Sequence, residues 1–275
     1  MSVKDQFNLA GRVAVITGGA GLLGVQHAEA IAEMGGIPIL ADVDARRATL
    51  VAKKIAARFG VPATGHGVDI TRAASVKKLR DTLMRRHGRV DILINNAARN
   101  PQVEGAGKSV WSRLENYPLG QWDLDLAVGL TGALICSQIF GAEMARARRG
   151  VILNIASDLG VIAPDQRIYR RPGVPAGRQM VKPVSYSVVK HGLIGLTKYL
   201  ATYWAEQGVR ANAISPGGVF NEQDKDFVRR LTALIPLGRM ARLGEYKAAV
   251  VFLVSDASLY MNGANLVMDG GRSTW

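Results

Sequence analysis

The chain has 275 residues, 48% of them hydrophobic, and is therefore long enough to bury the core of one α/β domain. Its 35 Lys and Arg residues against 22 Asp and Glu give a formal net charge of +13, which admits nucleic acid, an anionic membrane or acidic metabolites as partners. The single cysteine, Cys136, excludes an intramolecular disulfide, and no stretch is expected to span a membrane or serve as a signal peptide, so the expected compartment is the cytoplasm.

Seven short apolar runs alternate with helical patterns along the chain. They occupy residues 12–17, 37–42, 63–69, 90–95, 150–157, 209–215 and 264–269. Because these runs are continuously apolar, both faces of each strand are expected to be covered by helices. We therefore predict an α/β fold, a Rossmann-type doubly wound parallel sheet of about seven strands in a single domain over residues 1–275. In such a sheet the ligand lies beyond the carboxyl ends of the strands.

The first run leads into "TGGAGLLG", residues 17–24. Glycines between a strand and a helix allow a tight turn and a close approach of backbone to pyrophosphate, which binds the helix N-terminus. Asp42 ends the second run, where an acidic residue that binds the adenosine ribose is expected. Its carboxylate would repel the extra phosphate of NADP, so the predicted cofactor is NAD. A glycine-rich turn without a ligand is the alternative.

The motif "YSVVK" separates Tyr186 and Lys190 by four residues, which places both on one face of a helix. A phenol with a pKa of about 10 is a poor base at neutral pH, but a neighbouring ammonium favours the phenolate. The pair is therefore suited to proton exchange with an alcohol or a carbonyl.

Together with "NNAA" at 95–98, "NIAS" at 154–157, "NAISPGGV" at 212–219 and the ending "MNGANLVMDGG", these motifs resemble the short-chain dehydrogenase/reductase family over nearly the whole chain. The resemblance implies that Tyr186 is the general acid/base. It implies that Lys190 binds the nicotinamide ribose and lowers the tyrosine pKa, and that Ser157 orients the substrate oxygen.

The resemblance also implies a set of cofactor-binding residues. They are Gly18, Gly19, Gly21, Leu22, Leu23, Gly24, Asp42, Val43, Asp69, Ile70, Asn95, Asn96, Ala97, Tyr186, Lys190, Pro216, Gly217 and Val219. It further implies a substrate lid over residues 217–240 and a homodimer or homotetramer built on the helices around the fifth strand.

Two positions depart from the family pattern. Leu22 stands where the standard-length branch usually has glycine, so the motif most resembles a subgroup with an atypical phosphate turn. Gly129 stands where the family often has an asparagine that holds water in a proton relay. We expect water to fill the vacated space and activity to persist; a lapsed enzyme is the alternative.

A third departure is an insertion near residues 158–185, which separates Ser157 from Tyr186. It is rich in proline and in cations, among them Arg167, Arg170 and Arg171, and a loop of this length is usually functional or mobile. Since arginine binds carboxylate or phosphate bidentately, these three residues are hypothesised to bind an anionic substrate. A subunit contact or a solvated cap is the alternative.

The sequence thus predicts an NAD-dependent oxidoreductase that interconverts a secondary alcohol and a ketone on a small polar metabolite, such as a sugar, polyol or sugar acid. One alternative is an NAD-retaining sugar-nucleotide epimerase or dehydratase. Another is an NAD-sensing nucleic-acid-binding or regulatory protein, although scattered cations and 6% aromatic residues argue against nucleic acid. No metal site is expected, because His66 and His87 lack ligand partners at useful spacing.

Overall fold

The computed structural model describes residues 2–99 and 110–275 of the chain. Within these ranges, seven parallel strands form one sheet in the order β3-β2-β1-β4-β5-β6-β7. The strands are β1 (Val13–Thr17), β2 (Ile37–Asp42), β3 (Thr64–Gly67), β4 (Ile92–Asn95), β5 (Gly150–Ile155), β6 (Val209–Pro216) and β7 (Asn265–Met268). Each lies at one of the predicted apolar runs, so the predicted fold class is confirmed.

Helices cover both faces of the sheet. They are α1 (Val3–Gln6), α2 (Leu22–Glu33), α3 (Ala45–Phe59), α4 (Ala73–His87), α5 (Leu119–Leu126), α6 (Gly132–Arg146), α7 (Val184–Tyr203), α8 (Lys225–Thr232) and α9 (Lys247–Val254). Side chains of β1 alternate between the two faces: Ala14 and Ile16 pack in the core under α2, α3 and α9, whereas Val13 and Val15 pack in the core under α4, α6 and α7. All five residues of β1 are buried for this reason.

The strand order reverses between β1 and β4, since β2 lies on one side of β1 and β4 on the other. Connections from these two strands therefore leave in opposite directions and open a crevice at their carboxyl ends. Crevices of this kind are where doubly wound sheets bind their ligands.

A π-helical turn, Ala127–Thr131, joins α5 to α6 into one continuous helix, Leu119–Arg146. By length and composition this is the one helix in the described part of the chain that could cross a membrane, since an 18-residue window within it has a mean hydropathy of 1.5. The expectation that no stretch approaches a membrane span is wrong by that measure. Its inner face packs Cys136, Phe140 and Met144 into the core beside the sheet. Helices buried in a protein core also reach this length and hydropathy, so these two properties alone do not identify a membrane span.

The insertion folds into short 3-10 helices, Asp158–Gly160, Gln166–Tyr169 and Ala176–Arg178. The side chain of Gln166 bonds the backbone of Lys182 twice, accepting from its N at 2.7 Å and donating to its O at 3.3 Å. These bonds join residues 166 and 182, so the stretch between them forms a closed loop.

The insertion packs against the segment predicted to be a lid. In that segment Arg230 of α8 donates from Nε to the carbonyl of Ile168 at 2.8 Å, and the rings of Tyr169 and Phe227 lie 5.5 Å apart. Ile168 also joins Leu231 in a small hydrophobic cluster separate from the two main cores. The insertion and the segment around α8 are therefore in direct contact.

Candidate active site

The glycine-rich turn between β1 and α2 fits a phosphate-binding role. Gly18 has φ +60°, and a β-carbon on Gly19 would lie 2.8 Å from Cα of Leu40. A β-carbon on Gly24 would lie 2.2 Å from the carbonyl oxygen of Gly18, so α2 can approach the turn this closely only with glycine there. Gly21 is the N-cap of α2 and supplies no side-chain oxygen to the first amide groups. Those amides are thus suited to an anion.

Asp42 ends β2 beside this turn. Its Oδ2 accepts from the backbone N of Ala20 at 3.0 Å and its Oδ1 from that of Asp44 at 3.1 Å. Each carboxylate oxygen retains a free acceptor position for a ribose hydroxyl. Val43, the next residue, is 77% exposed. The turn and Asp42 together fit the adenosine half of a dinucleotide.

The turn after β4 is bonded to the same region. Asn96 donates from Nδ2 to the carbonyl oxygens of Thr17 and Gly18 at 2.9 and 3.1 Å, and the backbone N of Ala97 donates to Thr17 Oγ1. Asn95, in contrast, is buried and donates from Nδ2 to Ser137 and Asn154. Of the asparagines predicted to contact cofactor, Asn96 lies at the cleft and Asn95 joins neighbouring elements within the core.

The loop after β3 carries two further predicted cofactor residues. Oδ1 of Asp69 accepts from the N and Oγ1 of Thr71 at 3.0 and 2.6 Å, which fixes the loop. Ile70 is buried against α6, since a β-carbon on Gly132 would lie 2.7 Å from its Cδ1. Asp69 follows β3 at the carboxyl edge of the sheet, as expected, whereas Ile70 packs in the core.

The predicted catalytic residues come together at the carboxyl end of β5. Lys190 is buried, and its Nζ donates to the carbonyl of Ile155 at 2.7 Å and lies 5.7 Å from the ring centre of Tyr186. Ser157 is buried two residues beyond the end of β5, lines the same cleft as Tyr186, and donates from Oγ to Oδ1 of Asp158 at 2.8 Å. The helix α7 thus presents Tyr186 and Lys190 one turn apart, beside Ser157.

The start of α7 is held by a buried carboxylate. Oδ2 of Asp125 in α5 accepts from Tyr117 OH at 2.7 Å and from Ser185 Oγ at 2.6 Å. Because Ser185 directly precedes Tyr186, these bonds fix the first turn of the helix that carries the catalytic phenol.

Burial dominates the ionisation of these groups. Burial, followed by the repulsion of Lys182, lowers the pKa of Lys190 to about 8. Burial raises the pKa of Tyr186, the neighbouring Ser157 hydroxyl lowers it, and the charge of Asp158 raises it further. The net direction for Tyr186 in the protein alone is upward, which is opposite to the effect expected from Lys190.

One cleft brings the catalytic triplet together with about half of the predicted cofactor residues. Those lining it are Leu22, Leu23, Asn96, Ser157, Tyr186, Lys190, Pro216, Gly217 and Val219. Gly18, Gly19, Gly21 and Gly24 form the adjacent turn, and Asp42 and Asp69 follow β2 and β3 along the same sheet edge. In the described residues, no group of three or more His, Cys, Asp or Glu side chains could hold a metal ion.

The three arginines predicted to bind substrate do not line this cleft. Arg167, Arg170 and Arg171 are all exposed, and Arg167 pairs with Asp165 at 2.7 Å. The insertion turns this stretch outward, because Ile168 is the side chain that it buries against α8. Their placement therefore does not support the predicted contact with an anionic substrate.

Three other charged residues line the cleft. Asp158 and Lys182 belong to the charged insertion, but neither they nor Arg272 were among the residues predicted to contact substrate. Asp158 and Arg272 form a buried ion pair with Nη1 and Oδ2 2.6 Å apart, and Lys182 lies with Nζ 3.7 Å from the ring centre of Tyr186. Burial lowers the pKa of Lys182 to about 8. Two of the three could have been found from their positions in the sequence. Asp158 directly follows Ser157, and Arg272 directly follows the motif "DGG" at 269–271.

Comparisons with known proteins agree with this geometry. A family model described as short chain dehydrogenase matches residues 12–169, and one described as Enoyl-(Acyl carrier protein) reductase matches residues 174–273. The D-threitol dehydrogenase of Mycolicibacterium smegmatis is 36% identical over 276 residues, covering 98% of this chain and 96% of that protein. The NAD-dependent glycerol dehydrogenase of Listeria innocua is 32% identical, covering 98% and 96%.

A solved structure has the same fold over the full length. The gluconate 5-dehydrogenase from Burkholderia cenocepacia J2315, crystallised in complex with NADP and tartrate, has a TM-score of 0.86 and 27% identity and covers 100% of both chains. Family models, relatives and fold agree over nearly every residue, and the site carries the expected serine, tyrosine and lysine. The chain therefore belongs to the short-chain dehydrogenase/reductase family and is an NAD(P)-dependent oxidoreductase.

Proposed function

We propose that this enzyme oxidises a secondary alcohol of a small polyol to the ketone, with NAD as the oxidant. The observation that carries the proposal is the convergence of Ser157, Tyr186 and Lys190 on one cleft beside the glycine-rich turn. The names of two relatives, a threitol and a glycerol dehydrogenase, support a polyol as the substrate.

In the proposed mechanism Tyr186 removes the proton of the substrate hydroxyl, and Ser157 orients the oxygen from which that proton leaves. Bound NAD supplies the acceptor for the hydride from the carbinol carbon. Lys190 binds the nicotinamide ribose while the carbonyl of Ile155 fixes its ammonium. Since burial raises the pKa of Tyr186, we infer that the charges of Lys190 and the bound cofactor offset that effect during turnover.

Preference for NAD over NADP is assigned to Asp42. A phosphate on the adenosine ribose would meet a carboxylate that is fixed by two backbone amides. Repulsion between that phosphate and the carboxylate disfavours the binding of NADP, whereas the ribose hydroxyls of NAD can donate to the same carboxylate oxygens.

We further propose a cytoplasmic homodimer or homotetramer. The lone Cys136 is buried, consistent with a reducing compartment. Leu124 and Leu134 on the α5–α6 helix, and Tyr199 and Tyr203 on α7, are exposed apolar or aromatic side chains that an interface would cover. Light scattering of the purified protein would measure its mass, and a monomer would contradict this assignment.

The proposed activity is tested by measuring cofactor reduction with NAD and with NADP on tetritols, pentitols, hexitols and the corresponding sugar acids. We expect turnover of at least one polyol with NAD and little with NADP. Turnover confined to sugar acids would contradict the polyol assignment. Cofactor binding without any turnover would favour the epimerase alternative.

A further inference from the structure

Arg272 is a buried arginine whose guanidinium makes a hydrogen bond through only one of its three nitrogens in the described part of the chain. It is 7% exposed, lines the catalytic cleft, and donates from Nη1 to Oδ2 of Asp158 at 2.6 Å. Among residues 2–99 and 110–275, no residue accepts a hydrogen bond from its Nε or Nη2, and neither atom is fully occluded. Nε and Nη2 of Arg272 are therefore donors without a protein acceptor among the described residues, on a side chain that lines the cleft.

Asp158 holds this arginine and the catalytic serine at once. Its Oδ1 accepts from Ser157 Oγ and from the backbone N of Leu159, both at 2.8 Å, and its Oδ2 accepts from Arg272. A carboxylate can accept about four hydrogen bonds, so Oδ2 retains one position. The unbonded donors of Arg272 and this acceptor position thus belong to two paired residues that both line the cleft, and Asp158 also bonds the serine that orients the reacting oxygen.

Stability alone is a weak reason for such a pair. Two charges removed from water gain little or no net free energy against a hydrophobic pair of the same volume. This ion pair also lines the cleft rather than the interior of a core. A planar donor edge beside an acceptor suits a ligand that both accepts and donates hydrogen bonds.

We propose that Arg272 and Asp158 form a subsite for the hydroxyl groups next to the reacting carbon, and so select vicinal polyols over simple secondary alcohols. Neighbouring hydroxyl oxygens accept from Nε and Nη2 of Arg272, and one hydroxyl donates to Oδ2 of Asp158. A substrate carboxylate could accept from the same Arg272 donors, so the test includes a sugar acid to separate hydroxyl from carboxylate recognition. This inference rests on the proposed polyol dehydrogenase function and names the residues that recognise its substrate.

Other cleft groups do not supply the same donor edge. Lys190 donates to Ile155, and Lys182 lies against the ring of Tyr186 as a single point charge. Tyr169 contributes a ring packed on Phe227. Arg272 is thus the planar bidentate donor in the described part of the cleft.

The test compares substrates with the same four-carbon skeleton. The kcat/KM values for a tetritol, for 2-butanol and for 2,3,4-trihydroxybutanoate are measured in wild type, Arg272→Leu and Arg272→Lys. Because loss of Arg272 leaves Asp158 buried without a partner, Arg272→Leu alone could fail to fold. Arg272→Lys keeps the charge but lacks the planar edge. The matched control is Arg12→Leu, which removes a half-buried ion pair with Asp256 outside the cleft.

We expect the ratio of the tetritol to the 2-butanol kcat/KM to fall by roughly 10- to 100-fold in the Arg272 variants, the range for losing hydrogen bonds to a charged group, and to stay constant in Arg12→Leu. Equal losses on both substrates would overturn the proposal, because Arg272 would then support the fold or the chemistry. A larger loss on the trihydroxybutanoate would overturn it in favour of carboxylate recognition.

A binding measurement separates failure of this inference from failure of the proposed function. Calorimetry measures tetritol binding to Tyr186→Phe with NAD, and to the same protein carrying Arg272→Lys as well. Equal affinities for the two proteins would contradict the subsite alone. Absence of binding to both would contradict the polyol function and the subsite together. Weaker binding by the double variant would support both.

Discussion

A β-carbon on Gly129 would lie 2.5 Å from Cγ1 of Val189. The position where the family often has a water-holding asparagine is thus in contact with a side chain of α7, one residue before Lys190. Gly129 is buried within the π-helical turn. At the β-carbon position the space is occupied by Val189, so the structure gives no support to the prediction that water fills a vacated space at this point.

Restoring the asparagine should harm this protein. We expect Gly129→Asn to lower the free energy of unfolding by about 1–3 kcal/mol, the usual range for overpacking a core, and not to raise kcat. Urea denaturation measures the first effect and steady-state kinetics the second. The double variant Gly129→Asn/Val189→Ala should recover most of the stability. If Gly129→Asn alone increased both kcat and stability, the steric explanation would be wrong.

The pH dependence of the reaction should report Lys190. Its pKa is lowered to about 8, so its ammonium form predominates below that pH and is lost as the pH rises above it. If the ammonium binds the ribose, kcat/KM should decline on the alkaline side from about pH 8. Lys182→Met removes one cause of the lowering and should move this decline to higher pH. An unchanged profile would show that the repulsion between the two lysines has no role.

Cofactor choice should depend on Asp42. We expect Asp42→Ala to raise kcat/KM for NADP by roughly tenfold or more, since repulsion of the added phosphate is removed. The same substitution should weaken the binding of NAD, because the ribose hydroxyls lose an acceptor. Asp44→Asn is the matched control, because Asp44 caps α3 through Arg47 N, a bond that asparagine can keep. Comparable NADP gains in both variants would contradict the assignment to Asp42.

The exposed arginines of the insertion should matter little to substrate binding. We expect the triple variant Arg167→Ala/Arg170→Ala/Arg171→Ala to keep KM within about twofold, as is usual for exposed charges. The measurement is the KM of the variant and of wild type for the best substrate among the polyols and sugar acids tested. An increase in KM of tenfold or more would restore these residues as substrate contacts.

Much of the fold was predictable from the sequence because the buried strands are short, apolar and regularly separated. All seven runs became strands, and the spacing of Tyr186 and Lys190 correctly predicted that both lie on one helix. The place of Ser157 beside them was implied by the family resemblance. These features depend on local periodicity or on motifs that lie within a few residues. Asn95 and Ile70 each belong to a matching motif, and the structure buries their side chains; their predicted contact with cofactor stays a prediction.

The substrate end of the cleft was not predictable in the same way. Asp158 and Arg272 are 114 residues apart, and their pairing depends on how the insertion and the C-terminal segment pack. Local composition pointed instead to the arginines of the insertion, which the chain turns towards solvent. Charge counted along a segment does not tell which side chain faces the cleft.

The most direct test of the central claim is the initial rate of NADH formation from NAD and a tetritol, compared between wild type and Tyr186→Phe. We expect wild-type turnover, and a loss of at least about 100-fold on removal of the phenolic hydroxyl, since proton transfer by a positioned side chain contributes that much or more. Calorimetry should show that Tyr186→Phe still binds NAD. Equal rates in the two proteins, or no polyol oxidation by wild type despite NAD binding, would contradict the account.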